Sequence, residues 1–587
     1  MQIPHIPADA PFGAEQRVWL GGFMAGLNSR LLADAQPAAA AGGARPVLDI
    51  LFGTQTGTSE ALAEDAAKTA RSRGWDAKTA EMDAITPEAL AKMENALFIV
   101  STYGEGEMPD NAQQFWDALA ASTAPRMESL SYGVLALGDT SYEHFCQAGK
   151  LVDTRLEQLG ARRLAARVDC DVDYEDAAAD WIDTAIPQAE GDAGAPVQVA
   201  PQAADGAKEA KAPAGAKWNR KNPYVATMVD NRVLSGPDSA KEIRHLAFAL
   251  GDSGLAYEAG DALGVMPVND PGLVQAILER VGASAHDPAP GREGTLGEAL
   301  TSQLEIMTPA RNLLREIEPL ARHDELTHVT SNGDKEALEA FLWGKDTLDV
   351  LNLNPDLEIS PEQLMGWLKP LQHRAYSISS SPKAHPGEVH LTVAAVRWMG
   401  GGRMHKGVAS TFLADHVPEG ASAGIFMSPN KSFRVPQDDA VPMIMVGPGT
   451  GVAPFRAFLE ERRERGAAGT NWLFFGDQHR ASDFIYEDEI TAMSESGLLT
   501  RLDLAFSRDQ AEKIYVQHRM LENGKDLFAM LEEGGHFYVC GDATRMAKDV
   551  DRALHEVIAT HGAKSEDEAA EYVNALRREK RYVRDVY

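Results

Sequence analysis

Three stretches near the start of this chain combine hydroxyls, glycines and aromatic rings in a way that suits phosphate and a flat heterocycle. The first, "GTQTGTSE" (Gly53 to Glu60), offers hydroxyls at Thr54, Thr56, Thr58 and Ser59 where a helix is expected to begin. Backbone N–H groups at a helix N-terminus, joined by such hydroxyls, can hold a phosphate dianion without a cation. The loop lacks the Gly-Lys-Ser/Thr ending of a nucleotide-triphosphate loop. A hydroxyl-rich helix start is also ordinary structural punctuation, so the neighbouring loops carry weight. "STYGEGEMPDNA" (Ser101 to Ala112) and "LGDTSYEHFC" (Leu137 to Cys146) each join glycines, for close backbone approach, to one tyrosine, Tyr103 or Tyr142. Two aromatic faces above one phosphate loop suit a flat, electron-accepting ring.

The second half repeats the theme with different residues. In "RAYSISSS" (Arg374 to Ser381), Arg374 can neutralise a pyrophosphate, Tyr376 can stack on a ring and Ser377 can hydrogen-bond a redox nitrogen; an edge strand ending in a Ser-rich turn would read the same. "KGVASTFLADHV" (Lys406 to Val417) places Gly407, Val408, Ala409 and Ser410 at an expected helix start, a second pyrophosphate cradle. "MIMVGPGTGVAPFRAFLEER" (Met443 to Arg462) reads as strand, Gly-rich turn and helix, with Pro454 tolerable in the first helical turn. Its GPGTG is not the GxGxxG dinucleotide fingerprint. "SRDQAEKIYVQ" (Ser507 to Gln517) presents Ser507, Arg508 and Lys513, donors that match a 2′-phosphate, or else an ordinary surface cap. Cys540, in "HFYVCGDATRMAKDV", falls at the carboxyl end of an apolar strand, where a lone cysteine is usually core. The chain ends "RYVRDVY", with Asp585 two residues before an aromatic Tyr587; a frayed helix end is the ordinary reading.

These residues need elements to hold them. Apolar runs "VLDILF", "ALFIV" and "GVLALG", each followed by a polar loop and a helical stretch, predict a parallel sheet with covering helices. Residues 38–45 and 190–216 are rich in Ala, Gly, Pro and Asp and read as linkers. Beyond the second come β-rich segments such as "GEVHLTVAAVRW", interrupted by a helix-rich insert from about Pro271 to Leu368. From Val441 strand and helix alternate again. At 587 residues the chain exceeds one core. Its net charge of -31 argues against nucleic acid or an anionic membrane as partner. Three scattered cysteines, Cys146, Cys170 and Cys540, suggest neither a disulfide framework nor zinc, and a reducing cytoplasm is expected. "VWLGGFMAGL" (Val18 to Leu27) is too short to span a bilayer and has no secretion-signal flanks. It reads instead as a short amphipathic helix, with Ala14 and Glu15 at its start, that docks on another subunit.

Taken in order, the motifs resemble the diflavin reductase family over about Val47 to Tyr587, with only the two linkers unmatched. The three early loops resemble its flavodoxin-like domain, the Arg374 and Gly407 motifs the barrel of ferredoxin–NADP reductases, and the insert its connecting domain. The resemblance implies a multidomain α/β protein: a flavodoxin-like doubly wound parallel sheet (47–189), an FAD-binding antiparallel β-barrel with a helical connecting insert (217–436, insert about 271–368), and a ferredoxin–NADP reductase-type NADP-binding α/β domain (437–587). Residues 1–46 would be an assembly segment and linker, and 190–216 a flexible linker. For FMN it implies contacts from Thr54, Gln55, Thr56, Gly57, Thr58, Ser101, Thr102, Tyr103 and Gly104, and from Leu137, Gly138, Asp139, Thr140, Ser141, Tyr142, Glu143, His144, Phe145 and Cys146. For FAD it implies Arg374, Ala375, Tyr376, Ser377, Thr392, Val393, Ala394, Trp398, Gly407, Val408, Ala409, Ser410 and Tyr587. For NADPH it implies Gly449, Thr450, Ser507, Arg508, Lys513, Tyr515, Gln517 and Asp549. Ser377, Cys540, Asp585 and Tyr587 then form the hydride-transfer cluster, with Cys540 beside the nicotinamide, Asp585 stabilising transient charge and Tyr587 a displaceable lid over the FAD ring. No metal is expected.

In that family electrons pass from NADPH to FAD to FMN to a haemoprotein acceptor, and the Pro/Ala linker would let the FMN domain swing between partners. Asp139, Glu143, Asp169, Asp171, Asp173, Glu175 and Asp176 would form an acidic rim that steers a basic acceptor. The "RYVRDVY" ending, the "LGDTSYEHFC" loop and the "EQRVWLGGFMAGL" preface most resemble the bacterial assimilatory sulfite reductase flavoproteins. That implies a sirohaem and iron–sulfur haemoprotein partner that reduces sulfite to sulfide, and a homo-oligomer assembled through the N-terminal segment. Two other readings stand beside it: a free-standing NADPH–haemoprotein reductase with another acceptor, and a non-catalytic flavin-binding scaffold subunit. The intact Ser377, Cys540, Asp585 and Tyr587 speak against the scaffold.

Overall fold

The computed structural model describes residues 45–189 (apart from 56, 105 and 141–143), 218–331 and 335–587. The expected assembly segment, except its last two residues, the linker 190–216, and the site candidates Thr56, Ser141, Tyr142 and Glu143 lie outside the described residues.

The first unit is a parallel sheet in the order Asp76–Glu81, Val47–Gly53, Asn95–Ser101, Ser131–Leu137, Arg162–Arg163, with Val168–Cys170 also paired to Ser131–Leu137. Both faces are covered, so its central strands are largely apolar: Ile50, Leu97, Phe98, Ile99 and Leu135 are wholly buried, while the edge strands Asp76–Glu81 and Arg162–Arg163 are mostly polar. The strand order reverses beside Val47–Gly53, and open sheets of this kind bind ligands at the carboxyl ends next to such a reversal. Gly53 pairs with Val100, and Ser101 with Leu137, so the three loops leave the sheet side by side.

Six antiparallel strands form the second unit, in the order Arg374–Ser377, Ala262–Met266, Ser422–Ser428, Tyr224–Val233, Glu242–Ala249, Glu388–Ala395. A bridge between Ile378 and Leu391 joins the two ends of this order and closes it into a barrel. The insert, from helix Pro271–Arg280 to helix Pro361–Trp367, packs about its own apolar core, in which Ile277, Leu296, Leu300, Ile306 and Leu313 are fully buried.

The third unit is a five-stranded parallel sheet ordered Arg501–Phe506, Asn471–Asp477, Met443–Val446, His536–Gly541, Tyr582–Val586. The chain's ending is therefore an edge strand, not the frayed helix of the ordinary reading. Barrel and third unit are joined by a buried ionic cluster on helix Ala453–Arg465. Arg456 donates to Ser379 O (2.7 Å) and Glu489 Oε2 (2.7 Å) and pairs with Glu460 (3.0 Å). Glu460 in turn accepts from Ser381 N (2.9 Å) and meets His385 Nε2 at 3.0 Å. Removing one member of a buried pair strands the other charge in a dry site. Arg456→Ala is therefore expected to lower the stability of this part of the chain by about 3 kcal/mol or more, read as a lower urea midpoint; an unchanged midpoint would show that the cluster contributes no net stability.

Candidate active site

Ser377 ends a barrel strand, while Cys540 and Asp585 occupy paired positions on the two parallel strands at one edge of the third sheet. Closing the barrel against that sheet brings all three together. Ser377 Oγ donates to Asp585 Oδ2 at 2.7 Å. The Cys540 thiol is wholly buried and adjoins both Ser377 and Asp585. Burial pushes that thiol well above its ordinary range, and the Asp585 carboxylate adds to the shift, so Cys540 is a neutral thiol rather than a nucleophile. Burial also raises Asp585, partly offset by the Ser377 hydrogen bond. The GPGTG turn lies directly behind: a Cβ on Gly451 would sit 2.2 Å from Cys540 O, so only glycine allows this approach. Tyr587 is fixed through its backbone, N to Gly541 O at 3.0 Å, and its phenol meets Thr450 Oγ1 at 3.1 Å, yet the residue is 63% exposed.

A cavity of about 1270 Å³ lies between the barrel and the insert. Arg374, Ala375, Tyr376, Ala394, Trp398 and Gly407 to Ser410 line it as expected. Thr392 and Val393 do not face it: Thr392 Oγ1 meets Tyr486 OH at 2.8 Å, and Val393 packs in the barrel core. The opposite wall comes from the insert, through Met307, Thr308, Arg311, Leu314 and Trp343. None of these was among the sequence candidates. Arg311 opens helix Arg311–Ala321, where its charge opposes the helix dipole; a cation in that position was the available signal of a nearby anion. Guanidinium, aromatic face, helix start and extended cavity together fit a dinucleotide such as FAD.

The flavodoxin-type loops are tied to one another. Thr54 Oγ1 accepts from Gly57 N (2.9 Å), Thr54 N donates to Asn111 Oδ1 (2.8 Å), and Gln55 bonds Asp110 in both directions. Gly57, at φ +88°, turns the chain into helix Thr58–Ser72, where Ser59 Oγ is buried with no partner among the described residues. An orphaned hydroxyl beside a glycine-led helix start fits a phosphate group such as that of FMN. Ser101 Oγ is used by Gly53 O and Thr102 Oγ1 by Ala148 N. Tyr103 OH donates to Val586 O at 3.0 Å, and Gly104 has φ +54°. Thr140 takes a hydrogen bond from Lys369 (2.6 Å), which also approaches Asp139 at 3.9 Å. Gly138 N bonds Cys170 O, Leu137 is core, His144 is exposed, and Phe145 lies under the Lys150 ammonium. Cys146 turns inward, its thiol directed at Ala136 O and Cys170 O, so its side chain serves packing. The acidic rim is largely engaged within the chain: Asp169 by Arg167, Asp171 by Thr140, Asp173 and Glu175 by Arg220, Asp176 by Lys221.

On the third sheet, Gly449 (φ +58°) and Thr450 begin the helical turn after Met443–Val446. Ser507 and Arg508 follow Arg501–Phe506, their N–H groups bonded to Asp477 O and Gln478 O. Lys513 and Tyr515 are exposed beside them, and Gln517 reaches Asp549 at 3.4 Å. Exposed donors at a strand's carboxyl end, next to a glycine turn, fit a phosphorylated dinucleotide. Among the described residues two His/carboxylate groups, His385–Glu388–His390 and Asp346–Asp349–His405, are close enough to hold an ion; in the first His385 is bonded to Glu460 at 3.0 Å, and in the second Arg403 already pairs with Asp349 at 2.9 Å.

A flavodoxin unit, a barrel with a dinucleotide cavity and a nicotinamide-type sheet in one chain define a diflavin oxidoreductase. The chain matches the flavodoxin family over residues 50–181, the FAD binding domain over 216–412 and the oxidoreductase NAD-binding domain over 445–552. It is 42% identical over 583 residues to the sulfite reductase (NADPH) flavoprotein alpha-component of Bacillus subtilis (strain 168), covering 97% of this chain and 95% of the relative. It is 42% identical to the protein of that name from Vibrio cholerae serotype O1 (strain ATCC 39315), covering 98% and 93%. For that of Aliivibrio fischeri (strain ATCC 700601) the identity is 40%, covering 99% and 96%. The chain belongs to the family of sulfite reductase (NADPH) flavoprotein alpha-components. Among the described residues no helix is long and apolar enough to cross a membrane.

The raised Asp585 carries a signed pH expectation. Its protonated form contributes stability at pH values below the unfolded-chain pKa, and that contribution is lost as pH rises through the higher folded value. Asp585→Asn is therefore expected to be at least as stable as the native chain at pH 8, with the difference closing as pH falls. Its NADPH-driven flavin reduction is expected to drop on the order of a hundredfold. Native-rate reduction would remove Asp585 from the chemistry.

Proposed function

We propose that this chain takes hydride from NADPH at the Ser377–Cys540–Asp585 cluster and delivers electrons through its flavodoxin unit to a haemoprotein that reduces sulfite to sulfide. The units carrying these roles would be 47–189, 217–436 and 437–587, with 1–46 serving homo-oligomer assembly. The bound cofactors supply the electron splitting: two electrons arrive as a hydride from NADPH and leave singly by way of FAD and then FMN. The carrying observation is that the polar cluster lies between the FAD-type cavity and the flavodoxin loops, sharing strand Tyr582–Val586 with both neighbours.

In this reading Arg374 and the Gly407–Ser410 helix start hold the FAD pyrophosphate, and Tyr376 and Trp398 supply flat faces. Ser377 orients the reacting ring, Asp585 offsets developing positive charge beside it, and the neutral Cys540 fills space next to the nicotinamide without forming a bond to it. Tyr587 would cover the ring site and keep water off it. Thr54 to Thr58 hold the FMN phosphate. Arg508 and Lys513, with Ser507, hold the 2′-phosphate that separates NADPH from NADH. The relatives' name, sulfite reductase (NADPH) flavoprotein alpha-component, supports sulfite reduction shared with a further component. All three cysteines are free and buried, which suits a reducing cytoplasm.

The test is NADPH oxidation by the purified, flavin-loaded chain, first with cytochrome c and then with a sulfite reductase haemoprotein plus sulfite. Sulfide formed only with the haemoprotein supports the reading; cytochrome c reduction without sulfide makes the chain a diflavin reductase with another acceptor. Arg508→Ala is expected to raise KM for NADPH by about tenfold or more while leaving KM for NADH nearly unchanged. Equal effects on both would separate Arg508 from the 2′-phosphate.

A further inference from the structure

Ion pairs tie the flavodoxin unit to the rest of the chain at several points. Lys431–Glu60, Lys580–Glu81 and Lys221–Asp176 involve lysines that are 60%, 58% and 57% exposed, and such pairs contribute little. Arg220, paired with Glu175, lies just past the linker and pins where the chain enters the barrel rather than the flavin loops.

Arg584 is placed differently. Its Nε donates to Asp110 Oδ2 at 2.9 Å and its Nη2 to Oδ1, a two-pronged match of guanidinium to carboxylate, with both side chains mostly covered. Asp110 belongs to the loop that carries Tyr103, and it is bonded to Gln55 of the phosphate loop through both its N–H (3.1 Å) and its carboxylate (3.3 Å). Its neighbour Asn111 accepts from Thr54 N. Two residues beyond Arg584, Val586 O accepts the Tyr103 hydroxyl at 3.0 Å. Between them Asp585 points the other way, to Ser377. One strand therefore grips the flavodoxin loops and carries the hydride-site carboxylate on its opposite face.

We propose that Arg584 is the positioning residue for docking of the flavodoxin unit: its fork on Asp110 sets the register in which the Tyr103 loop and the phosphate loop meet the strand that bears Asp585. The consequence for electron delivery rests on the function proposed above, whereas docking itself can be read without turnover. A lysine could supply the charge but not the planar fork, so Arg584→Lys should dock only partly.

The test uses the full, flavin-loaded chain at low ionic strength, with small-angle scattering and amide hydrogen exchange as readouts. Arg584→Glu and Asp110→Arg should each increase the radius of gyration and speed exchange across residues 101–112 by about tenfold, equivalent to ~1.4 kcal/mol of docking. The double variant Arg584→Glu/Asp110→Arg, which restores opposite charges in reversed order, should return both toward native values. Lys580→Glu should change neither. Ferricyanide reduction by NADPH in Arg584→Glu should remain native, separating docking from hydride entry. Native scattering and exchange in the single variants, or no rescue in the double variant, would overturn the proposal. Loss of NADPH oxidation with docking intact in the native chain would instead count against the function proposed above.

Discussion

A β-strand turns successive side chains to opposite faces, and strand Tyr582–Val586 uses that alternation to serve two neighbours. Its register is set by pairing with His536–Gly541, which places Asp585 opposite Cys540. On one face Asp585 meets Ser377 of the barrel; on the other Arg584 meets Asp110 of the flavodoxin unit. A slip of one residue would exchange these faces and lose both contacts at once. Both contacts of the strand depend on this register.

The surrounding structure can be understood as holding that strand in place. Gly451 lets the Gly-rich turn approach the backbone at Cys540, and no larger residue would. Arg456 and Glu460 fasten the third sheet to the barrel, fixing the distance between Ser377 and the strand. The insert supplies the far wall of the dinucleotide cavity. The flavodoxin loops are braced internally by Thr54, Gln55, Asp110 and Asn111, so a contact at Asp110 is felt throughout the loop cluster.

Much of this was legible in the sequence because it is local. The apolar runs from Val47, Ala96 and Gly133 are strands of one parallel sheet, and the hydroxyl-rich segment after Gly53 does begin a helix. The Ser377, Cys540, Asp585 grouping followed from resemblance, and the structure brings the three together. What the sequence did not reveal is mostly long-range or a matter of facing. Arg584 and Asp110 are far apart in the chain, and neither has a local pattern that announces the other. Thr392 and Cys146 lie in the right segments, but strand pleat and a left-handed backbone at Cys146 direct their side chains inward. At Asp173, Glu175 and Asp176 the acidic rim reads as open to a partner because the cations that engage these residues, Arg220 and Lys221, lie beyond the linker, whereas Arg167 stands only two residues from Asp169.

The central claim is that reducing equivalents enter at the Ser377–Cys540–Asp585 cluster and leave through the flavodoxin unit. Anaerobic rapid mixing of the flavin-loaded chain with NADPH, followed by flavin absorbance, tests it most directly. The account predicts a fast bleaching phase slowed by deuterium at the transferred position of NADPH, followed by an isotope-insensitive phase that slows when Tyr103 and Asp110 are replaced together. Absence of bleaching, or a second phase indifferent to those replacements, would contradict it.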